Sequence, residues 1–337
     1  MLKVSINGYG RIGRVVHRQL LERFSDDVEV VAINASSDAA MRRYLLKFDS
    51  LHGRFHHSVD VDGENLQVDG KLVHVIREKD PSKCPWKELK IDVVVEATGK
   101  FRTKEKAQAH LNAGAKAVLI TAPPKDDTIM IVRGVNDDKL KEALPIVSAA
   151  SCTTNCIAPV VSVLDAWKGI QRGLMCTTHS YTSSQNLLDN STDSSKLRIS
   201  RAAALNIIPS TTGAAKAVGK VFPHLKGKLD GMALRIPVPD VSAAYLVLEL
   251  KQATTVDEIN QKLRSAAEGE LKGILAVEEG LLVSSDYLSD PHSSTVDLDS
   301  TNVIDGNLVQ ILAWYDNERG YSMRVTEMTM NIGKLLS

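Results

Sequence analysis

Residues 8–13 of this 337-residue chain read Gly8-Tyr9-Gly10-Arg11-Ile12-Gly13. An apolar run from Leu2 to Ile6 precedes them, and apolar residues at helical spacing follow them. The segment therefore predicts a strand, a tight turn and a helix. In a G-x-G-x-x-G turn the glycines allow close approach of a pyrophosphate and close packing of the helix, whose N-terminus binds the diphosphate. We expect the three glycines to bind a dinucleotide.

Further short apolar runs fit the same fold. Val28 to Ile33 follows at the spacing of a βαβ unit, and Asp92 to Glu96 and Val118 to Ile120 are typical of buried parallel strands. We therefore predict a doubly wound Rossmann nucleotide-binding domain of the α/β class in residues 1–150. The chain length suits two domains, and we predict an α+β catalytic domain with a mainly antiparallel sheet in residues 151–315.

Charge and composition limit the classes of partner. Lysine plus arginine equals aspartate plus glutamate at 41 each, so no net field attracts nucleic acid or an anionic membrane. No apolar run approaches the ~18 residues that a membrane span needs, and the N-terminal segment lacks the apolar stretch of an export signal. We expect a cytoplasmic protein whose four cysteines are thiols, with a small-molecule partner and no bound metal.

The end of the second strand departs from the usual dinucleotide pattern. The stretch Ile33-Asn34-Ala35-Ser36-Ser37 lacks the acidic residue that bonds the ribose of NAD. A carboxylate there would repel a 2′-phosphate by about 4 kcal/mol at ~4 Å and an effective dielectric constant near 20. Ala35 and Ser36 therefore favour NADP without excluding NAD. Two alternatives stay open: Asp38 folds back onto the ribose, or Ala35 is a neutral loop residue and another group holds NAD.

A cysteine stands in the polar stretch Ser148-Ala-Ala-Ser151-Cys152-Thr153-Thr154-Asn155-Cys156. Cys152 precedes an apolar-periodic stretch, so we place it at a helix start, where free amides and the helix dipole stabilise a thiolate. The alternative is a cysteine that merely caps a helix. A thiol nucleophile needs a base, and His179, at the end of a predicted strand, is the candidate; the alternative is a structural histidine.

Basic and hydroxyl residues accumulate in the second half of the chain. The polar segment Ser180 to Ser200 is either a disordered linker or a functional loop. Arg198 and Arg201 end it, and the hydroxyls and amides of Pro209 to Gly213 suit an oxyanion. Arg235 lies in a predicted strand, where the alternative role is an ordinary ion pair. Together these groups favour a phosphorylated small substrate.

Taken together, these motifs resemble glyceraldehyde-3-phosphate dehydrogenase of the phosphorylating type along essentially the whole chain. The resemblance rests on these segments: Ala150-Ser-Cys-Thr-Thr-Asn-Cys-Ile-Ala-Pro159, Ile6-Asn-Gly8 to Arg14, His179-Ser-Tyr-Thr182, Thr212-Gly-Ala-Ala-Lys216 and Trp314-Tyr-Asp-Asn317-Glu.

The resemblance assigns roles to individual residues. It implies that Cys152 is the nucleophile and His179 its base, and that Thr182 and Arg235 hold the phosphate of the substrate. It implies that inorganic phosphate passes Ser151, Thr153, Arg198, Thr212 and Gly213. It places on cofactor-contacting positions Arg11, Ile12, Arg77, Thr121 and Asn317.

The resemblance also implies the reaction. The Cys152 thiolate adds to the aldehyde, a hydride passes to nicotinamide, and inorganic phosphate releases 1,3-bisphosphoglycerate from the thioester. In the family the C-terminal helix, here about residues 316–337, packs back on the nucleotide domain, and the expected assembly is a homotetramer.

Two departures from the family pattern concern the cofactor. Family members that use NAD carry aspartate where Ala35 stands, and Leu-Pro or Gly-Pro where this chain has Asn190-Ser191. Family structures place that loop against the adenosine ribose of a neighbouring subunit, so Ser191 is expected to bond a 2′-phosphate. The chain thus resembles the NADP-using, often gluconeogenic or photosynthetic, branch. Nothing in the sequence explains Arg319, which replaces a common aromatic residue.

Two other functions are compatible with the sequence. One is that of the related erythrose-4-phosphate dehydrogenase, in which water rather than phosphate takes the acyl group; Thr182 argues against it. The other is a nucleotide-binding redox sensor that keeps the reactive thiol without turnover.

Overall fold

The structure is a computed structural model that describes residues 1–192 and 194–337, apart from the side chains of Ser194 and Lys196. The chain divides into two compact units. The first comprises Met1–Ile131, Asn136–Ala150 and Ser322–Ser337. The second comprises Val132–Val135 and Ser151–Tyr321.

The first unit is built on an eight-stranded sheet. Its strands, with a separate two-stranded pair β3–β4, are β1 Leu2–Asn7, β2 Val28–Asn34, β3 Phe48–Asp49, β4 Gly53–Arg54, β5 Val59–Asp62, β6 Asn65–Val68, β7 Lys71–Ile76, β8 Val93–Glu96, β9 Ala117–Ile120 and β10 Ile146–Ser148. Its helices are α1 Arg11–Phe24, α2 Ala39–Lys47, α3 Lys104–Asn112 and α4 Leu140–Ala143. The strand order is β10-β9-β8-β1-β2-β7-β6-β5.

Strands β10 to β7 of this order pair parallel, and the pairs β7–β6 and β6–β5 are antiparallel. Strand β8 is buried along its whole length, as in a sheet that helices cover on both faces. These features confirm the predicted doubly wound nucleotide-binding fold.

The turn after β1 requires glycine at two of its positions. Gly8 has φ of 97°, in the left-handed region that other residues rarely adopt. A Cβ on Gly13 would lie 2.1 Å from the Gly8 carbonyl oxygen, so only glycine lets α1 start this close to the turn. A Cβ on Gly10, in contrast, would meet nothing within 4 Å. Close packing thus explains the glycines at positions 8 and 13, whereas Gly10 faces open space.

A buried polar network joins the carboxyl ends of β1, β2 and β8. Trp86 Nε1 donates to His110 Nδ1 (3.0 Å), so the His110 proton is on Nε2, which faces Glu96 Oε2 at 3.1 Å. The side chains of His110 and Glu96 are fully buried. Asn7 Nδ2 also donates to Glu96 Oε2 (2.5 Å), and Asn34 Nδ2 donates to Asn7 Oδ1 (2.7 Å). The network fixes the strand ends where a nucleotide is expected to bind.

The second unit is built on a seven-stranded sheet. Its strands are β11 Ile170–Ser180, β12 Ile208–Thr211, β13 Leu229–Ile236, β14 Ser242–Leu250, β15 Leu275–Glu278, β16 Ser294–Ile304 and β17 Leu308–Tyr315. Its helices are α5 Cys152–Lys168, α6 Ala214–Val221 and α7 Val256–Glu268, and the last helix of the chain is α8 Arg319–Leu336. The strand order is β12-β13-β11-β14-β17-β16-β15.

Only the pairs β11–β13 and β15–β16 of this sheet are parallel, which confirms the mainly antiparallel prediction. Helix α5 belongs to the core of the unit: its side chains Val160, Val161 and Leu164 are buried. The helix is continuous through Pro159. None of the described helices is both long and apolar enough to span a membrane.

The buried network predicts the effect of a substitution on stability. Replacing His110→Leu removes a donor to Glu96 and the acceptor of Trp86 Nε1. Because each orphaned buried polar group costs about 1–3 kcal/mol, we expect the free energy of unfolding to fall by about 3 kcal/mol. Calorimetry measures it, with the exposed His56→Leu as the control that changes little. A loss below about 1 kcal/mol would contradict the network's role.

Candidate active site

The candidate nucleophile lies at the start of a helix in the second unit. Helix α5 begins at Cys152, as predicted, and Ser151 is its N-cap residue. Ser151 Oγ accepts a hydrogen bond from the Thr154 amide at 3.1 Å. Cys152 is half-buried. The first amides of a helix have no partner within it, so the backbone around the sulfur offers free donors.

His179 faces the sulfur from the end of β11. Its Nε2 lies 3.4 Å from Cys152 Sγ. Its Nδ1 lies 2.7 Å from the Ser180 carbonyl oxygen, which accepts only. A proton on Nδ1 satisfies that carbonyl and leaves the Nε2 lone pair directed at the sulfur. The two residues thus have the geometry of a nucleophile and its base.

Arg235 reaches the far side of the imidazole. Strands β11 and β13 are parallel, and their register pairs His179 with Arg235. Arg235 Nη1 lies 2.6 Å from His179 Nδ1 and donates to the Ser180 carbonyl oxygen at 3.1 Å. Because a guanidinium only donates, Nδ1 accepts from Arg235 in the tautomer with the ring proton on Nε2, whereas in the tautomer with the proton on Nδ1 both groups donate to the Ser180 carbonyl oxygen. Arg235 Nε is buried without a partner, and no carboxylate of the described residues forms an ion pair with this guanidinium. The alternative of an ordinary strand ion pair therefore does not apply.

The environment shifts the pKa of both members of the pair. Burial raises the pKa of the Cys152 thiol, against the opposing effects of the Thr153 hydroxyl and the Arg235 charge. Burial and then the Arg235 charge lower the pKa of His179 to about 4. At neutral pH the pair is therefore a thiol beside a neutral imidazole. Burial thus opposes the thiolate stabilisation predicted for the helix start, and the net shift of the Cys152 pKa is upward.

Tyr315 is a buried residue next to the Cys152–His179 pair that was not predicted from the sequence. Tyr315 OH lies 2.9 Å from Thr153 Oγ1 and 2.8 Å from Thr177 Oγ1, and burial raises its pKa far above the usual value. Its ring packs edge-on against His179, with centroids 6.0 Å apart. The Trp314-Tyr-Asp-Asn segment contains it, but spacing alone gives no sign that β17 passes beneath α5.

The other predicted substrate residues also belong to the second unit. They are Thr182, Arg198, Thr212 and Gly213. In the described part of the chain, none of the four forms a hydrogen bond with Cys152, His179 or Arg235. Thr182 follows β11 and its Oγ1 lies 2.9 Å from Ser184 Oγ. Arg198 is exposed within a short 3₁₀ helix, Ser194–Ser200. Thr212 and Gly213 precede α6.

Asn317 and Ser191 are the two predicted cofactor residues of the second unit. Asn317 Oδ1 accepts hydrogen bonds from Ser180 Oγ and Ser242 Oγ, both at 2.7 Å. Its Nδ2 makes no hydrogen bond with the described residues. Ser191 is exposed, and its amide donates to Asn190 Oδ1 at 2.8 Å.

The first unit contains a separate cavity of about 540 Å³ around the glycine turn. Its lining comes from the turn and from the ends of β1, β2, β7 and β8: Asn7, Gly8, Tyr9, Asn34, Ala35, Ser36, Arg77, Glu78, Lys79, Thr98, Lys100 and Phe101. A Cβ on Gly8 would lie 2.7 Å from the Thr98 amide nitrogen. The absence of a side chain at Gly8 therefore lets the turn lie against the Thr98 backbone at the edge of this cavity.

The end of the second strand, at Ala35, contributes no carboxylate to the cavity that could bond a ribose. Ala35 is buried and Ser36 is exposed. Asp38 Oδ1 accepts a hydrogen bond from the Met41 amide at 2.8 Å, as the N-cap of α2. The alternative in which Asp38 folds back onto the ribose therefore has to break a helix cap. Arg77 is one of three cationic residues on the lining, with Lys79 and Lys100.

Three other predicted cofactor residues make internal contacts or follow the turn. The guanidinium of Arg11 forms two bonds to the Asp49 carboxylate, at 2.6 and 3.1 Å. Thr121 Oγ1 donates to the Glu96 carbonyl oxygen at 3.1 Å. Ile12 lies in the first turn of α1. Arg11 and Ile12 thus offer backbone amides at the helix N-terminus, which suits a pyrophosphate.

The contact between Arg235 and His179 predicts a pH dependence. In Arg235→Gln the guanidinium charge is lost, so we expect the pKa of His179 to rise from about 4 toward the ordinary 6.5. The ring accepts the thiol proton only above its pKa. The acid limb of the rate of Cys152 alkylation by iodoacetamide should therefore move to higher pH.

Two variants control this measurement. Arg235→Lys keeps a positive charge and should leave the acid limb nearer that of the wild type. His179→Asn has no titrating ring and should lose that limb altogether. An acid limb at the same pH in Arg235→Gln and the wild type would contradict the assigned contact.

Comparisons with known proteins identify the family of the chain. The family model "Glyceraldehyde 3-phosphate dehydrogenase, NAD binding domain" matches residues 2–104, and "Glyceraldehyde 3-phosphate dehydrogenase, C-terminal domain" matches residues 151–317. Similar proteins include the glyceraldehyde-3-phosphate dehydrogenase of Geobacillus stearothermophilus, 53% identical over 98% of both chains. Glyceraldehyde-3-phosphate dehydrogenase 1 of Bacillus subtilis is 51% identical over 99% of this chain and 98% of its own. The chain therefore belongs to the glyceraldehyde-3-phosphate dehydrogenase family, an oxidoreductase family with a nicotinamide cofactor.

Proposed function

We propose that the protein is a phosphorylating glyceraldehyde-3-phosphate dehydrogenase that prefers NADP or uses both NADP and NAD. It reversibly converts D-glyceraldehyde 3-phosphate and inorganic phosphate to 1,3-bisphosphoglycerate. The observation that carries this proposal is the 3.4 Å contact between Cys152 Sγ and His179 Nε2, in a chain whose relatives bear this enzyme's name.

The catalytic pair forms and breaks the thioester. As Sγ adds to the aldehyde carbon, His179 Nε2 accepts the thiol proton and passes it to the carbonyl oxygen. The ring takes that proton back when the hydride leaves the carbon, and a thioester remains. When bound, a nicotinamide dinucleotide would supply the hydride acceptor. An oxygen of hydrogen phosphate then bonds to the acyl carbon, the carbon–sulfur bond breaks, Sγ recovers the proton from His179, and the phosphate's own proton passes to solvent.

Cationic and hydroxyl groups hold the two phosphates. Arg235 has a buried Nε without a partner and, with Thr182, is proposed to hold the phosphate of the triose. Ser151, Thr153, Arg198, Thr212 and Gly213 are proposed to receive inorganic phosphate. Ser151 and Thr153 hydroxyls now make internal hydrogen bonds, so this role requires them to change partner. The free Cys152 amide is proposed to donate to the developing oxyanion.

The preference for NADP rests on the cavity of the first unit. Ala35 puts no negative charge beside a 2′-phosphate, exposed Ser36 has a free hydroxyl, and Asp38 is bound as a helix cap. Arg77, on the same lining, is proposed to pair with the 2′-phosphate. Because no carboxylate stands at Ala35, NAD loses only a charge-assisted hydrogen bond worth about 1.5–3 kcal/mol. The enzyme is therefore still expected to use NAD. Exposed Ser191 is proposed to add a hydroxyl from a neighbouring subunit.

A kinetic comparison tests reaction and cofactor together. We expect a lower KM for NADP than for NAD with the triose phosphate, and turnover that depends on added inorganic phosphate. Cys152→Ser should abolish turnover with both cofactors. Ala35→Asp should raise KM for NADP selectively, because like charges at ~4 Å repel by on the order of 4 kcal/mol at an effective dielectric near 20.

Other outcomes would point to other functions. An equal or lower KM for NAD would overturn the cofactor preference. Faster turnover of erythrose 4-phosphate, indifferent to phosphate, would identify an erythrose-4-phosphate dehydrogenase. No turnover with either cofactor would favour a redox sensor.

We also propose a homotetramer working in the cytoplasm. Large apolar side chains are 65–82% exposed around the polar loop of the second unit: Leu187, Leu188, Leu197, Leu205 and Ile207. Such a cluster is typical of a protein–protein interface. All four cysteines are free thiols, as in reducing compartments.

Sedimentation tests the assembly. We expect the wild type to sediment as a tetramer and Leu205→Asp to shift it toward smaller species, because a charge in an apolar interface is costly. A wild-type monomer at micromolar concentration would contradict the proposal.

A further inference from the structure

An exposed acidic residue holds the arginine proposed to bind the 2′-phosphate. Glu64, in the turn between β5 and β6, accepts a hydrogen bond from Arg77 Nη2 at Oε2, at 2.5 Å. The two side chains remain 68% and 48% exposed. Arg77 Nη2 also lies 3.3 Å from the Ser37 carbonyl oxygen. The guanidinium is therefore already paired, next to the Ser36–Ser37 turn on the cavity lining.

A second arginine fixes Glu64 in this position. Arg42, whose side chain is fully buried, donates from Nη2 to the Glu64 carbonyl oxygen at 2.7 Å and contacts Glu64 Oε2 at 3.4 Å. Arg42 Nη1 also donates to the Ser37 carbonyl oxygen. The carboxylate thus lies between two guanidinium groups, both of which also donate to the Ser37 carbonyl oxygen.

We infer that Glu64 is a specificity-determining residue, whose carboxylate competes with the 2′-phosphate of NADP for Arg77. This inference rests on the proposed contact between Arg77 and that phosphate. Only NADP brings a second anion to this guanidinium, since NAD has a hydroxyl at the same position. Glu64 therefore weakens NADP binding selectively and moves the enzyme toward dual use.

The charges around Glu64 and Arg77 determine whether the Glu64 carboxylate weakens or strengthens NADP binding. Arg42 and Arg77 contribute two positive charges and Glu64 one negative charge, while Asp38 is directed to the α2 amides. Lys79, on the same lining, is exposed. Without the Glu64 charge, the full charge of Arg77 acts on an incoming anion. The Arg77 Nε and Nη1 donors also allow a bound phosphate to share the guanidinium with Glu64.

Two substitutions of Glu64 separate the effect of its charge from the effect of its hydrogen bond to Arg77. Glu64→Gln keeps an oxygen that accepts from Arg77 and removes the charge, whereas Glu64→Ala removes both. We expect Glu64→Gln to lower KM for NADP about three- to fivefold, the range of a solvent-exposed ion pair, with KM for NAD unchanged. The exposed Glu88→Gln is the matched control and should change neither constant.

A binding measurement without turnover gives an independent readout. Titration of the full-length protein with 2′-AMP and with 5′-AMP, at low and high salt, reports the phosphate at the 2′ position alone. We expect Glu64→Gln to tighten 2′-AMP binding three- to fivefold, with a smaller gain at high salt because exposed charges are screened. Binding of 5′-AMP should stay the same.

The outcomes distinguish this inference from the proposed cofactor preference. If Arg77→Gln weakens NADP and 2′-AMP binding but Glu64→Gln changes neither, the competition is overturned while the Arg77 contact stands. If Glu64→Gln weakens 2′-AMP binding, the carboxylate orients Arg77 instead, which also overturns it. If Arg77→Gln leaves both ligands unaffected, the Arg77 contact itself is wrong, and the inference fails with it.

Discussion

The contact between Cys152 Sγ and His179 Nε2 depends on how two elements of the second unit end. Helix α5 begins at the cysteine, and β11 ends one residue after the histidine. The parallel pairing of β11 with β13 then puts Arg235 beside the imidazole. Since each side chain is held by regular structure rather than by a loop, a small shift in register would separate all three groups. The chemistry therefore depends on a strand register.

Local signals predicted much of this arrangement. The glycines at 8 and 13 are required by a left-handed φ and a close backbone approach, both of which a sequence pattern records. The position of Cys152 at a helix start followed from Ser151 and the apolar period after it. The nucleotide-binding sheet was predictable because buried parallel strands are near-continuous apolar runs.

Long-range effects were not predictable in the same way. Tyr315 is 162 residues from Thr153 in sequence, so no local period relates them. The raised pKa of Cys152 follows from burial, which depends on the packing of distant segments and is not encoded in the polar stretch around the cysteine. The pairing of Arg235 with His179 requires β13 to be the parallel neighbour of β11, and a strand order is not encoded in the spacing of either strand. The capping role of Asp38 depends similarly on where α2 begins.

The Arg235 guanidinium lies against His179 Nδ1. Whether an anion is bound to Arg235 therefore affects the proton affinity of the imidazole. The guanidinium charge contributes to the low proton affinity of the ring while the site is empty. An anion bound to Arg235 would offset that charge and make the imidazole a stronger base, and the triose phosphate of the proposed function is such an anion. An idle enzyme keeps its sulfur protonated and slow to oxidise, because the thiolate is the reactive form. If Arg235 binds the substrate as proposed, the same arginine would link substrate binding to the protection of the thiol.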